Sequence, residues 1–167
     1  MANKIHSISE LPNAPAVYVM YGGSGASLYV AYVGVALRLK NRIRQHLVKR
    51  DSSVATGTSA VALNPDFVTE LKWWEHPDFS ERYILEAAEL VAFDVFEPSL
   101  RSRGRVNKQS EQLYEEDIFR DKMRKLFSSE QSGHLVILTL QDALDKIEKL
   151  ESRLEALEKK VTEKDND

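Results

Sequence analysis

The hydrophobic pattern changes period several times along the chain. Val17-Tyr18-Val19-Met20-Tyr21 is a β-branched and aromatic run that follows Pro12 and Pro15, and it predicts a strand. Gly22-Gly23-Ser24-Gly25 is a turn signal, and Leu28-Tyr29-Val30-Ala31-Tyr32-Val33 predicts a second strand, so the two form an antiparallel hairpin. After Gly34, residues Leu37, Leu39, Ile43 and Leu47 recur near helical spacing with Arg and Lys between them. This predicts an amphipathic helix over about 36–49, basic on its outer side. Residues 51–64 read as a polar loop, and the aromatic-rich stretch from Phe67 to Trp74 as a third strand broken by His76-Pro77-Asp78. Trp73 and Trp74 are successive, so one ring is expected in the core and the other at the surface. Ser80 is a candidate N-cap for a helix from Glu81 to Phe96, ended by Pro98. A basic loop, Arg101-Ser102-Arg103-Gly104-Arg105, precedes another amphipathic helix from Glu111 to Phe127, and a short strand is compatible with His134 to Leu138. The order β-β-α-β-α predicts an α/β fold, a small three-stranded mixed sheet flanked by helices.

The last stretch differs in kind. Leu140, Ile147, Leu154 and Val161 are seven apart, and Ala143, Leu150 and Leu157 follow three residues after the first three of them. This is an a/d heptad pattern with Ile or Leu at a and mostly Leu at d, which predicts a C-terminal coiled-coil helix and favours a parallel dimer. Thr139 with Asp142 resembles a capping box at its start. A homodimer through residues 140–161 is expected, the alternative being a helix packed on its own domain. The organisation expected is a folded domain over 1–110, a helical connector over 111–139, the coiled-coil helix over 140–163 and a disordered tail over 164–167.

Composition adds limits. With 167 residues and 43% apolar positions, the chain can bury a real core. It has no cysteine, which excludes disulfides, thiolate catalysis and Cys-ligated metals and fits a reducing compartment. No apolar run approaches the roughly 18 residues of a membrane helix, Leu135 to Leu138 being far too short, and the N-terminus lacks the apolar core of a secretory signal. A soluble cytoplasmic protein with no membrane partner is therefore expected. The net charge of -3 conceals an asymmetry: residues 1–50 carry +6, residues 51–107 carry -5 and residues 108–167 carry -4. Six of the seven N-terminal positives fall between 38 and 50. Such a cluster in an acidic protein is either a solvated helix face or a phosphate-contact surface.

Two adjacent strands thus each carry a tyrosine, a glycine and a basic helix follow, and a later helix carries acids. In this order the sequence resembles the GIY-YIG nuclease superfamily over roughly residues 11–101. Leu11-Pro12-Asn13-Ala14-Pro15-Ala16-Val17-Tyr18 is similar to the family's first strand, with Ala16-Val17-Tyr18 where Gly-Ile-Tyr would stand. Tyr32-Val33-Gly34 stands where Tyr-Ile-Gly would be, 14 residues after Tyr18. Leu39-Lys40-Asn41-Arg42-Ile43-Arg44-Gln45-His46 resembles the helix that bears the family's arginine, matched by Arg42, and His46 sits where that helix often ends in histidine. The family places a metal-binding glutamate about nine residues before a proline; Glu89 precedes Pro98 by nine, and Glu86, after Ile84-Leu85, is its rival. Three positions depart from the pattern: Ala16 for glycine, Val35 where some members have lysine, and Arg101 in the slot of an asparagine.

The resemblance implies a metal-dependent DNA endonuclease, with the 1–110 segment as its catalytic domain. Its implied catalytic residues are Tyr18, Tyr32, Arg42 and Glu89, and its implied metal ligand is Glu89 or Glu86. A hard ion such as Mg²⁺ (or Mn²⁺) needs only one or two carboxylates. Arg42 offers a fork of donors to a phosphate. Tyr18 is implied as general base, with Tyr32 hydrogen-bonded to phosphate or water. Arg38, Lys40, Arg44, His46, Lys49, Arg50, Arg101, Arg103 and Arg105 are the expected nucleic-acid contacts, holding backbone phosphates without reading sequence. The alternative is a catalytically inactive DNA-binding or assembly module on the same fold, dimerised by the C-terminal helix.

Overall fold

The computed structural model describes residues 3–23, 25–52, 63–101, 106–138 and 140–164, the backbone alone at 3, 140, 141 and 160–164. Five strands form one sheet: β1 (Asn3–Ile5), β2 (Ala16–Gly22), β3 (Tyr29–Ala36), β4 (Val68–Glu75) and β5 (Gly133–Val136). Their order is β1-β5-β4-β2-β3, with β1 and β5 parallel and the other neighbours antiparallel. The α/β class is as expected, but the sheet has five strands instead of three. The difference lies at one end of the sheet. β1 is too short to show a period, and β5 enters the sheet by pairing with β4 far away in sequence, which local patterning cannot reveal.

Helices cover both faces. On one face, α1 (Leu39–Arg44) sets Leu39 and Ile43 against Tyr18, Met20, Leu71, Trp73 and Leu135. Its first residue has no side-chain cap, and carbonyls of the segment before β2 take that part: Leu39 N–H donates to Ala14 and Lys40 N–H to Pro12, each at 3.1 Å. On the other face, α2 (Arg82–Phe96) packs Leu85, Ala88, Val91 and Ala92 over Val17, Val19 and Val33. Alanines at the contact let the helix lie close to the β-branched strand residues. The helix ends at Glu97 in the left-handed region, immediately before Pro98. The chain then returns along the outer edge of β3, where Leu100 N–H donates to the Ala31 carbonyl and Leu100 bridges Tyr32.

Because both faces are covered, Trp73 and Trp74 are both buried, one on each side of the sheet. The expectation that one ring would sit at the surface is corrected by this second layer. The helix expected over Glu111 to Phe127 is two, α3 (Lys108–Glu115) and α4 (Asp117–Phe127), separated by Glu116 in an extended conformation. Phe119, Met123 and Phe127 of α4 are buried in the α2-side core. The first compact unit therefore runs through Ile137, beyond the expected boundary at 110, and takes in α3, α4 and β5. The second unit, from Leu138, carries a single helix among the described residues, α5 (Leu140–Lys164). Among the described residues no helix is long and apolar enough to cross a membrane.

Candidate active site

The site forms where the edge strand β3 passes between α1 and α2. In the hairpin register Tyr18 faces Gly34 and Met20 faces Tyr32, so the two tyrosines are diagonal neighbours on the α1 face. Their rings are 6.0 Å apart. Gly34 makes this possible: a Cβ there would lie 2.7 Å from both the Tyr18 hydroxyl and a Tyr32 ring carbon. The glycine of the second motif therefore has a steric reason, the space that the two phenols occupy.

α1 continues as a wide π-helical turn, Gln45–Lys49, that closes at Arg50 in the left-handed region. This turn places His46 in the interior, where it is fully buried. Its Nε2 lies 2.8 Å from the Tyr18 hydroxyl and its Nδ1 lies 2.7 Å from Ser52 Oγ. The imidazole ring also approaches Tyr32, at 5.6 Å between centroids. Burial, reinforced by the Arg42 charge, lowers its pKa from 6.5 to about 3, so it is neutral. His46 is thus a partner of Tyr18 inside the site. The expected contact of His46 with nucleic acid is corrected on this ground, since a fully buried ring offers no surface to a phosphate.

Arg42 is half-buried one turn earlier and acts on both phenol oxygens. Burial disfavours its charge, but the two phenols more than offset this and hold it firmly protonated. Burial also raises both tyrosines above the usual phenol range, Tyr18 the more strongly, with Tyr32 adding to the rise and Arg42 opposing it.

The carboxylate comes from α2. Burial first, then the neighbouring Glu86 charge, push Glu89 up to about 7, with Arg42 opposing. Glu89 also acts on Tyr32 and, more weakly, on Tyr18. No donor hydrogen-bonds to it among the described residues. Glu86 differs. Its oxygens accept from Arg82 Nε at 2.7 Å and from Ser110 Oγ at 3.0 Å, and these donors keep it below the usual glutamate range despite partial burial. Of the two rival glutamates, Glu89 is the one left without donors beside Tyr32 and Arg42. Among the described residues no group of three or more His, Asp or Glu side chains is gathered for a metal. A partly buried carboxylate without donors among the described residues, next to a second carboxylate, nevertheless suits a hard divalent cation that keeps most of its waters.

A groove of about 480 Å³ adjoins the site, lined by Arg38, Asn41, Arg42, Arg82 and Glu86 among others. Arg38, Arg44 and Lys49 are exposed and Lys40 is half-buried, all on the α1 segment. Arg50 is exposed and paired with Asp66 at 2.5 Å, and Arg101 lies over the Phe93 ring at 5.6 Å. Arg103 and Arg105, like most of the expected 51–64 loop, lie outside the described residues. Sequence reasoning missed Ser52, which only its contact with His46 brings to notice. Comparison with protein-family profiles, with curated proteins and with solved structures finds no match for this chain.

Proposed function

We propose that the chain is a GIY-YIG-type endonuclease that hydrolyses DNA phosphodiester bonds with a divalent metal, Mg²⁺ or Mn²⁺, and that it works as a homodimer joined by α5. One observation carries the reading. Two phenols, a guanidinium and a carboxylate without donors, supplied by two strands and two helices, act on one another, and the guanidinium among them, Arg42, lines a groove together with Arg38 and Arg82.

Each group has a task in this reading. Arg42 binds the scissile phosphate and offsets the charge that develops on its oxygens. Tyr32 holds the attacking water against the phosphorus and Tyr18 fixes Tyr32. The base role implied for Tyr18 by the resemblance sits poorly with its geometry, because its hydroxyl is sealed from solvent and engaged by His46. His46 and Ser52 hold the Tyr18 hydroxyl in place from behind. Glu89, with Glu86 beside it, holds the metal. When bound, that ion supplies Lewis-acid polarisation of the phosphate and stabilises the leaving oxygen. Arg38, Lys40, Arg44 and Lys49 extend the positive surface along the DNA backbone, without sequence information.

The experiment is a supercoiled-plasmid nicking assay with Mg²⁺. Wild type is expected to nick, while Arg42→Ala and Glu89→Gln lose at least about 100-fold in rate, as expected when a transition-state charge partner is removed. Wild-type protein that shifts the plasmid on a gel yet never nicks it would establish the inactive binding module in place of the enzyme.

A further inference from the structure

The apolar seam of α5 has flanking positions of opposite charge. With Ile147 and Leu154 at a and Leu150 and Leu157 at d, the g positions are Lys146 and Arg153 and the e positions are Glu151 and Glu158. Leu144, Ile147, Leu150, Leu154 and Leu157 are each half exposed or more in the single chain. In a parallel pair of heptad helices, each g side chain meets the e′ side chain of the next heptad on its partner. Lys146 then meets Glu151 of the second copy and Arg153 meets Glu158, and symmetry repeats both pairs. In an antiparallel pair g meets g′ and e meets e′, which sets cation against cation and carboxylate against carboxylate.

We infer that α5 pairs with α5 of a second copy of this chain, parallel and in register, and that its g and e charges select that arrangement over the antiparallel one. This deepens the homodimer reading above and is independent of the chemistry at Tyr32.

The chain has no cysteine, so a single introduced thiol reports orientation without interference. Ala143 is a d position near the start of α5. Parallel in-register pairing brings the two copies of Ala143→Cys together, and oxidation is expected to yield a disulfide-linked dimer. Full-length wild type is expected to sediment as a dimer. Lys146→Glu with Arg153→Glu turns the Lys146–Glu151 and Arg153–Glu158 contacts repulsive and is expected to weaken dimerisation roughly 30-fold or more. Adding Glu151→Lys and Glu158→Lys to the same chain restores g-e′ attraction and is expected to return the dimer, which shows that the charge changes leave the helix foldable. A wild-type chain that sediments as a monomer overturns the pairing altogether. A dimer whose Ala143→Cys thiols stay unlinked, or whose strength ignores the g substitutions, overturns the parallel arrangement while leaving self-association standing.

Discussion

The Tyr18 hydroxyl and Nε2 of His46 lie 2.8 Å apart in a part of the site that solvent does not reach. The imidazole is neutral, so one nitrogen donates and the other accepts. In one tautomer Tyr18 donates to Nε2 while Nδ1–H donates to Ser52 Oγ; in the other the direction of both bonds reverses. His46→Phe keeps a ring in the space but removes both nitrogens. It leaves the buried Tyr18 hydroxyl without its imidazole partner, and a loss of about 1–3 kcal/mol is expected. Urea denaturation checks this. A cycle with Tyr18→Phe should show that the two substitutions together cost less than their sum.

His46 also makes the fold sensitive to acid. Its pKa is about 3 in the fold and 6.5 when unperturbed, so between these values the unfolded chain binds a proton that the folded chain refuses. The stabilisation is complete above pH 6.5 and is lost as the pH falls toward 3. From pH 7 to pH 5 the contribution of this residue is a loss of roughly 2 kcal/mol. Comparing the urea midpoints of wild type and His46→Phe at the two pH values isolates it. Equal acid sensitivity in both proteins would contradict a neutral buried imidazole.

Glu89 has the opposite sign. Its pKa rises from 4.5 to about 7 on folding, so stability from the protonated form is present below pH 4.5 and lost as the pH climbs through 7. At pH 8 the partly buried charge costs on the order of 2–3 kcal/mol. Glu89→Gln should therefore be more stable than wild type at pH 8 and nearly equal to it at pH 4. On the metal reading, millimolar Mg²⁺ raises the melting temperature of wild type and leaves that of Glu89→Gln unchanged, because only wild type offers the carboxylate.

Gly34→Ala places a methyl 2.7 Å from the Tyr18 hydroxyl and from the Tyr32 ring. Neither ring has room to give way, since both are packed in the core with His46 behind them. A destabilisation of about 1–3 kcal/mol is expected, as for other overpacked cores. Loss of nicking should exceed what that destabilisation explains at a temperature where the variant remains folded.

What the sequence revealed follows the range of the interactions involved. The hairpin, α2 and α5 were legible because each is set by its own periodicity and punctuation: the β-branched runs around Gly22-Gly23, the Ala- and Leu-rich turn between Ile84 and Ala92, and the heptads after Leu140. β1 and the insertion of β5 between β1 and β4 depend on pairings across most of the chain, and no local pattern encodes them. Within the site, Tyr18, Tyr32 and Arg42 are named only through the resemblance to the GIY-YIG superfamily. The choice between Glu86 and Glu89 could not be made that way, because residues three apart share a helix face. Only Arg82 and Ser110, which engage Glu86, separate them. His46 counts among the expected nucleic-acid contacts because the resemblance ends the basic helix in histidine, and the π-helical turn that rotates it inward has no composition signal.

Three of the four reactive groups descend from one continuous run of chain, the hairpin and the helix immediately after it. The fourth rides on α2, whose seat is the small-residue contact of Ala88 and Ala92 with the opposite side of the sheet. The assembly therefore has a single joint. Enlarging Ala88 or Ala92 would shift one carboxylate while leaving phenols and guanidinium in register, so, on the nuclease reading proposed above, evolution or an engineer has a way to tune ion affinity separately from phosphate grip.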